Sequence, residues 1–354
     1  MSEADEGDGR ERVRLHFRHQ AEACDTLGSP FTAAVCRAVA EVLDETTAVG
    51  RRALSWPGNT RDDALSLRVC GGLHALVLSQ ADEELAAAYP PHADAGDLIR
   101  ILPGAILRND AALGRALDSA PQTNEIARAA MLLPGFLAIA RETGLPLDIC
   151  EIGSSAGLNL LFDRFSYDFG GTPWGDPASP VRLTPEIRGE SLPSLDGTLS
   201  VSGRAGSDIR PIDIGVSAER LRLRSYVWAD QTLRLARLDA AIDLAEANPF
   251  VLEQTDAATF VRHRFAASLA GVTRVLFHSI MWQYLPDATK AAISSTVLKA
   301  AETATSSAPI AWLRMEPLDT RNDHATLSLT LWPHGKTRHL AKCDYHGRWI
   351  EWLA

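Results

Sequence analysis

The stretch LDICEIGSSAGLNLLFDRF, residues 147–165, decides how this chain of 354 residues is read. Five mostly apolar residues end in Glu151, residues 153–157 spell GSSAG, and an amphipathic run led by Leu158 and Asn159 follows. That order predicts strand, tight turn and helix. Gly153 and Gly157 would let a ligand approach the backbone closely. The helix start would offer unpaired N–H groups and a positive dipole end to a negative group. The turn is therefore expected to bind a ligand.

Upstream, apolar residues recur at spacings of three and four, which predicts helices over 12–24, 31–44, 64–88, 95–109 with an interruption at Pro103-Gly104, and 125–143. No convincing strand precedes Leu147. Downstream the texture changes. FSYDFGGTPWGDPASPVRL (165–183) reads as an irregular excursion or hairpin, and strands are predicted over 198–208, 249–256, 272–279 and 309–317. Helices over 217–247, broken near Trp228, 257–269 and 287–303 alternate with them, and 324–332 with 338–345 form a closing antiparallel pair. Such alternation implies an α/β fold: an all-helical region followed by a Rossmann-like, doubly wound seven-stranded sheet with a terminal hairpin. The expected organisation is a disordered tail (1–10), a helical cap or substrate domain (11–145) and a sheet domain (146–354).

Composition narrows the function. A formal net charge of −10 argues against a phosphate-backbone binder. The run Arg220, Arg222, Arg224, Arg234 and Arg237 reads as the solvated side of a helix. Cys24, Cys36, Cys70, Cys150 and Cys343 are scattered, without C-x-x-C, so neither a disulfide framework nor a zinc site is expected. His16 and His19 have no third ligand nearby and read as solvated, so no metal is expected. The acidic N-terminus is no signal peptide and no apolar run suits a membrane helix, so a reduced, cytoplasmic, soluble protein with a small-molecule substrate is expected, without nucleic acid or membrane partners. The sequence leaves oligomeric state open.

Two chemistries use such a turn. Read as G-x-S-x-G, it is a candidate nucleophile elbow with Ser155 central and His346 as the late histidine, although an elbow normally follows several strands and here follows the first. Read as E-x-G-x-x-x-G, it resembles the first motif of class I S-adenosylmethionine-dependent methyltransferases, whose sheet also ends in an antiparallel strand. That resemblance, over residues 147–354, implies that Glu151, Gly153, Ser154, Ser155, Gly157 and Asn159 form the loop site, that Asp208 binds the ribose and that Asp256 faces the adenine. Ser155 stands where a middle glycine is common, and the long gap before Asp208 makes Asp168 its rival. The whole chain also resembles a bacterial family catalogued only as a domain of unknown function (number 2332), through FRHQAEAC, QTNEIARAAMLLPGF, EIGSSAGLNLLFDRF, GSDIRPIDI, FHSIMWQYLP and CDYHGRWIEWLA.

Other candidates surround these. Asn124 or Thr123 caps a helix, or Asn124, Glu125 and Arg128 face the cofactor mouth. His278 is a satisfied structural histidine or the general base and a cofactor contact, with Tyr284 a second catalytic candidate and Gln283 a substrate contact. Trp228, with Asp230 and Gln231, lines the mouth or packs in the core. Trp349 and Trp352 anchor the chain end. The leading expectation is S-adenosylmethionine-dependent methyl transfer to a small molecule, with the helical domain covering the active site. The alternatives are a serine hydrolase and a non-catalytic ligand-binding or regulatory protein on the same fold.

Overall fold

Val13, Phe17, Ala21 and Cys24, spaced four, four and three apart, are fully buried along one face of α1 (Glu3–Thr26). In the computed structural model, which describes residues 3–91, 97–319 and 321–354, this face packs on α2 (Pro30–Val42). Once packing has nucleated the helix, each further residue adds a hydrogen bond at little cost. The helix accordingly reaches back to Glu3, where disorder through residue 10 is expected; Met1 and Ser2 lie outside the described residues. The remaining upstream helices are α3 (Ala48–Leu54), α4 (Leu65–Leu78), α5 (Glu83–Ala87), α6 (Leu98–Arg108), α7 (Asp110–Ala116) and α8 (Arg128–Thr143). Pro103 lies inside α6 and does not end it. His16 is half-buried rather than solvated, and its Nε2 accepts from the Ser66 N–H at 3.3 Å.

The chain divides into two compact units, Met1–Thr123 with Gly215–Ala236, and Asn124–Ile214 with Arg237–Ala354. The helical unit thus takes in α9 (Ser217–Ser225) and the start of α10 (Thr232–Ala247), whereas α8 belongs with the sheet. One reason is a cap supplied from far along the chain. The Asp230 carboxylate accepts from Phe31 N–H at 2.9 Å and from the Ser29 hydroxyl, serving the start of α2, where Ser29 makes no cap bond of its own. Trp228 packs on this helical core. The arginines of residues 220–237 are half-buried and engaged, not a solvated face. Cys24, Cys36 and Cys70, scattered in sequence, share the core, with Cys36 and Cys70 Sγ 3.6 Å apart and all five cysteines free.

In the sheet unit, β1 (Leu147–Ile152) is buried at every position, as a strand covered on both faces must be. It runs parallel to β6 (Val201–Asp208) on one side and β8 (Thr273–Ser279) on the other; β7 (Val251–Gln254) pairs parallel with β6, and β9 (Ile310–Glu316) with β8. Beyond β9, β10 (Ala325–Trp332), β11 (Lys336–Cys343) and β12 (Trp349–Trp352) continue antiparallel, and β5 (Glu186–Arg188) pairs with β12. Among the described residues the main sheet therefore has nine strands, not the seven expected. The two additions are the four-residue β12, which the sequence offers only as a tryptophan anchor, and the three-residue β5, which carries no apolar run. The excursion after residue 165 forms a separate three-stranded sheet of β2 (Ser166–Phe169), β3 (Thr172–Gly175) and β4 (Arg182–Leu183). One face of the main sheet is covered by α11 (Ala257–Arg264) and α12 (Asp287–Ala301), which bury Cys150, Ile152 and Leu276. Residues of alternate parity face α8, where Phe136 stacks on Phe162 at 4.0 Å and meets Phe277 edge-on at 5.1 Å. Among the described residues no helix is long and apolar enough to cross a membrane.

Candidate functional site

β1 stands between β6 and β8: the chain leaves it toward β6 and β7, then crosses back to β8 and β9 on the other side. That is a topological switch point, where ligand crevices open beyond the carboxyl ends of the strands. Both strand exits there carry constrained backbone. Gly153, Ser155 and Gly157 have φ of +65°, +56° and +71°, and Ile280, just past β8, has +53°. A non-glycine residue in this region costs about 1–3 kcal/mol, and a β-branched one is a rare outlier.

Specific bonds impose these conformations. Asp208 Oδ2 accepts from Ser155 N–H at 2.9 Å, Ser155 O from Ile212 N–H at 3.2 Å, and Ser207 O from Ser154 N–H at 3.0 Å and Oγ at 3.1 Å. Past β8, Ile280 N–H donates to Met315 O at 3.0 Å, while Glu316 Oε1 accepts from Met281 and Trp282 N–H at 3.1 and 3.3 Å. The two exits meet. A Cβ on Gly153 would lie 2.8 Å from the Met281 side chain, and one on Gly157 would lie 2.5 Å from the Phe250 ring. Both glycines are thus required by neighbouring side chains of the protein itself.

Glu151 alternates with Cys150 and so faces the α8 side. It is buried, and its Oε2 has no hydrogen-bond partner. Burial pushes its carboxyl well above the usual carboxylate range; the Arg128 charge opposes the shift and Asp208 adds to it. Arg128 reaches across from α8, donating to Tyr345 O at 2.9 Å and Ser279 O at 3.3 Å. Three further buried atoms without partners, Ser155 Oγ, Asn159 Oδ1 and Ser207 Oγ, belong to the same turn and the adjoining end of β6. Interiors seldom leave polar atoms unpaired, so four at one turn call for an account.

The remaining expected site residues separate. The amphipathic run after the turn is a short, buried 3₁₀ helix (Leu158–Arg164), not an α-helix. Asn124 Oδ1 accepts from Leu158 N–H at 2.9 Å, and Asn159 Nδ2 donates to Glu125 O at 3.3 Å. Donors expected to meet a negative ligand group are therefore partly taken by the chain itself. Asn124 caps this segment rather than α8, which starts at Arg128. Asp256 is exposed and caps α11 through Thr259 N–H at 3.0 Å. Asp168 accepts from Gly171 N–H at 2.6 Å in the turn of the small sheet. Gln283 and Tyr284 are exposed on a 3₁₀ turn (Trp282–Tyr284) beyond β8. Trp228 belongs to the helical unit.

His278 shares the parity of Leu276 and lies on the α11–α12 face, opposite Glu151. It is fully buried, stacked on Trp282 at 5.0 Å, with Nδ1 2.7 Å from Glu316 Oε1 and Nε2 accepting from Trp312 Nε1–H at 3.1 Å. The tryptophan can only donate, which fixes the neutral tautomer with the proton on Nδ1. Both nitrogens are engaged. Glu316 is not among the residues expected at the site, although LRMEP ends a strand in an acid just as LDICE does. His346 lies in the turn between β11 and β12, its N–H on Asp344 Oδ1 at 2.9 Å. Among the described residues, no group of three or more His, Cys, Asp and Glu could hold a metal ion.

Fold and site together define an α/β protein with a helical N-terminal region and a large, mostly parallel sheet, in which left-handed turn residues and a buried carboxyl with one unpartnered oxygen meet at the switch point. The family model of an uncharacterized protein conserved in bacteria (DUF2332) matches residues 14–352, and the chain belongs to that family. Searches of the curated proteins and of the solved structures found no match.

Proposed function

We propose that the sheet unit binds S-adenosylmethionine beyond the carboxyl ends of β1 and β6 and directs its methyl group to a small-molecule substrate. The observation that carries this reading is Glu151: a buried carboxyl at the end of β1, at the switch point, with Oε2 unpartnered. A cationic ligand group beside it would restore the ionised form that burial disfavours. Asp208, ending the neighbouring strand, holds Ser155 and Arg210 N–H, yet each carboxylate oxygen retains a second lone pair for a ribose hydroxyl. Asp256 has the same spare capacity while capping α11. The parallel order β7–β6–β1–β8–β9 supports this reading, whereas β10 and β11 follow β9 outward in sequence and neither inserts between earlier strands as the last strand of class I methyltransferases does.

When bound, the cofactor would supply an electrophilic methyl group, and the chain's own contribution is to position ligands and exclude water. Asn124 holds the turn through Leu158, and Arg128 opposes the burial shift of Glu151 while tying α8 to the β8 exit. Gln283 and Tyr284, exposed just beyond β8, are the candidates to meet the substrate. The substrate's proton is not assigned to His278, whose nitrogens are both engaged.

Calorimetric titration of S-adenosylmethionine into the full chain tests the reading. Saturable binding that is lost in Glu151→Ala supports it; no binding, or binding indifferent to that substitution, sinks it. Binding without turnover on a substrate panel would favour a regulatory protein. A serine-hydrolase reading keeps one observation, the positive φ of Ser155, which an exposed nucleophile on an elbow also needs. Here the Oγ is buried and hydrogen-bonded to no base. Covalent labelling of Ser155 by a fluorophosphonate would reinstate it.

A further inference from the structure

We propose a second ligand site, for a small organic anion with an apolar body, at the amino ends of β8 and β9, the opposite end of the sheet from the strained exits. A cavity of about 460 Å³ opens there between the loop after α11, the last turns of α12 and the start of β9. That volume is typical of small-molecule sites. Its walls offer Phe265, Ala300 and Ile310 as apolar surface. At its rim stand Arg262 of α11 and Lys299 of α12, both exposed and making no hydrogen bond or ion pair among the described residues; Arg262 feels the Asp256 carboxylate without bonding to it. Among the described residues, no aspartate or glutamate lines the cavity. In a chain of net charge −10 this is a local inversion of sign.

The third cation, Arg274, is a fixed part of the wall. It pairs with Asp148 at 3.1 Å, a carboxylate that Arg264 shares, and donates to Ala267 O at 2.9 Å, so its guanidinium is held in place. The two rim cations make no such bonds among the described residues. A carboxylate, sulfonate or phosphate head would sit between Arg262 and Lys299, and the body would lie on Phe265 and Ile310. Since the rim charges are exposed, the head contributes moderately and the apolar contact must supply the rest.

The probe is 8-anilinonaphthalene-1-sulfonate, an aromatic body with an anionic head, titrated into the full chain by fluorescence. Saturable one-to-one binding is expected, at least tenfold weaker in Arg262→Ala/Lys299→Ala and abolished in Ala300→Trp, which fills the cavity. The rim variant alters only exposed side chains, so it keeps the test valid if the tryptophan variant fails to fold. Displacement by octanoate but not by inorganic phosphate supports the amphipathic anion. Displacement by phosphate alone, or an affinity unchanged in the rim variant, overturns the proposal.

Discussion

Asp208 Oδ2 accepts the backbone N–H of Ser155 at 2.9 Å, so the acid that ends β6 holds the left-handed residue in the turn after β1. Its other oxygen takes Arg210 N–H at 2.9 Å, which turns the chain away from β6. The carboxylate thus fixes both strand exits on this side of the switch point. Any ligand contact it makes is additional to that structural task.

Asp208→Ala should therefore destabilise the fold by about 2 kcal/mol, from two lost charge-assisted bonds discounted for partial exposure. Asp208→Asn, which keeps one acceptor oxygen and so one of the two bonds, should cost about half of that. Denaturant unfolding of the two variants checks it, and equal losses would show that the backbone bonds are not the cause.

Ser155→Gly should be neutral or stabilising by about 1 kcal/mol. Glycine adopts φ of +56° without penalty, and the change removes a buried hydroxyl that has no partner. A clear loss of stability on thermal unfolding would contradict this account of the turn.

Glu151 makes stability depend on pH in a definite direction. Its folded-state value lies above the ordinary 4.5, so the folded protein holds this proton more tightly than the unfolded chain. The stabilisation is complete below pH 4.5 and is lost as pH rises toward and through the raised value, at about 1.4 kcal/mol for each pH unit crossed. Glu151→Gln escapes that loss. Its stability advantage over the natural protein should widen as pH rises above 4.5, until the raised value is passed; an advantage that stays constant would mean the carboxyl is ionised in the fold.

Glu316 Oε1 receives three donors, His278 Nδ1–H and the Met281 and Trp282 N–H groups. Glu316→Ala orphans all three and should cost about 3 kcal/mol or more, with loss of the near-ultraviolet dichroism of Trp282 and Trp312. Glu316→Gln retains the acceptor and should preserve that signal. If His278→Asn abolished methyl transfer while leaving this spectrum intact, His278 would be chemical rather than structural.

The alternation of 147–317 is enough to read the parallel half of the sheet, because β1, β8 and β9 each carry an apolar run with helical segments between them. β5 is not legible, since three residues with one apolar side chain carry no period, and pairing with β12 alone makes them a strand. The allegiance of residues 215–236 rests on Asp230 capping a helix some 200 positions away, a relation with no local trace. At the site, Glu151 and the turn are legible from their strand–glycine pattern. The face of His278 is not, because β8 is buried at nearly every position on both faces and parity needs a neighbour to define it. Gly153 and Gly157 show the limit of reading glycines as ligand room: Met281 and Phe250 occupy that room, and neither is near in sequence.

The most direct test is calorimetric titration of S-adenosylmethionine at several pH values above 4.5, each in two buffers of very different ionisation enthalpy. If Glu151 is protonated when free and ionised beside a cationic ligand, the two observed enthalpies should differ by an amount corresponding to release of about one proton, and the difference should vanish in Glu151→Gln. Equal enthalpies in both buffers for the natural protein, or no heat of binding in either, would contradict the account.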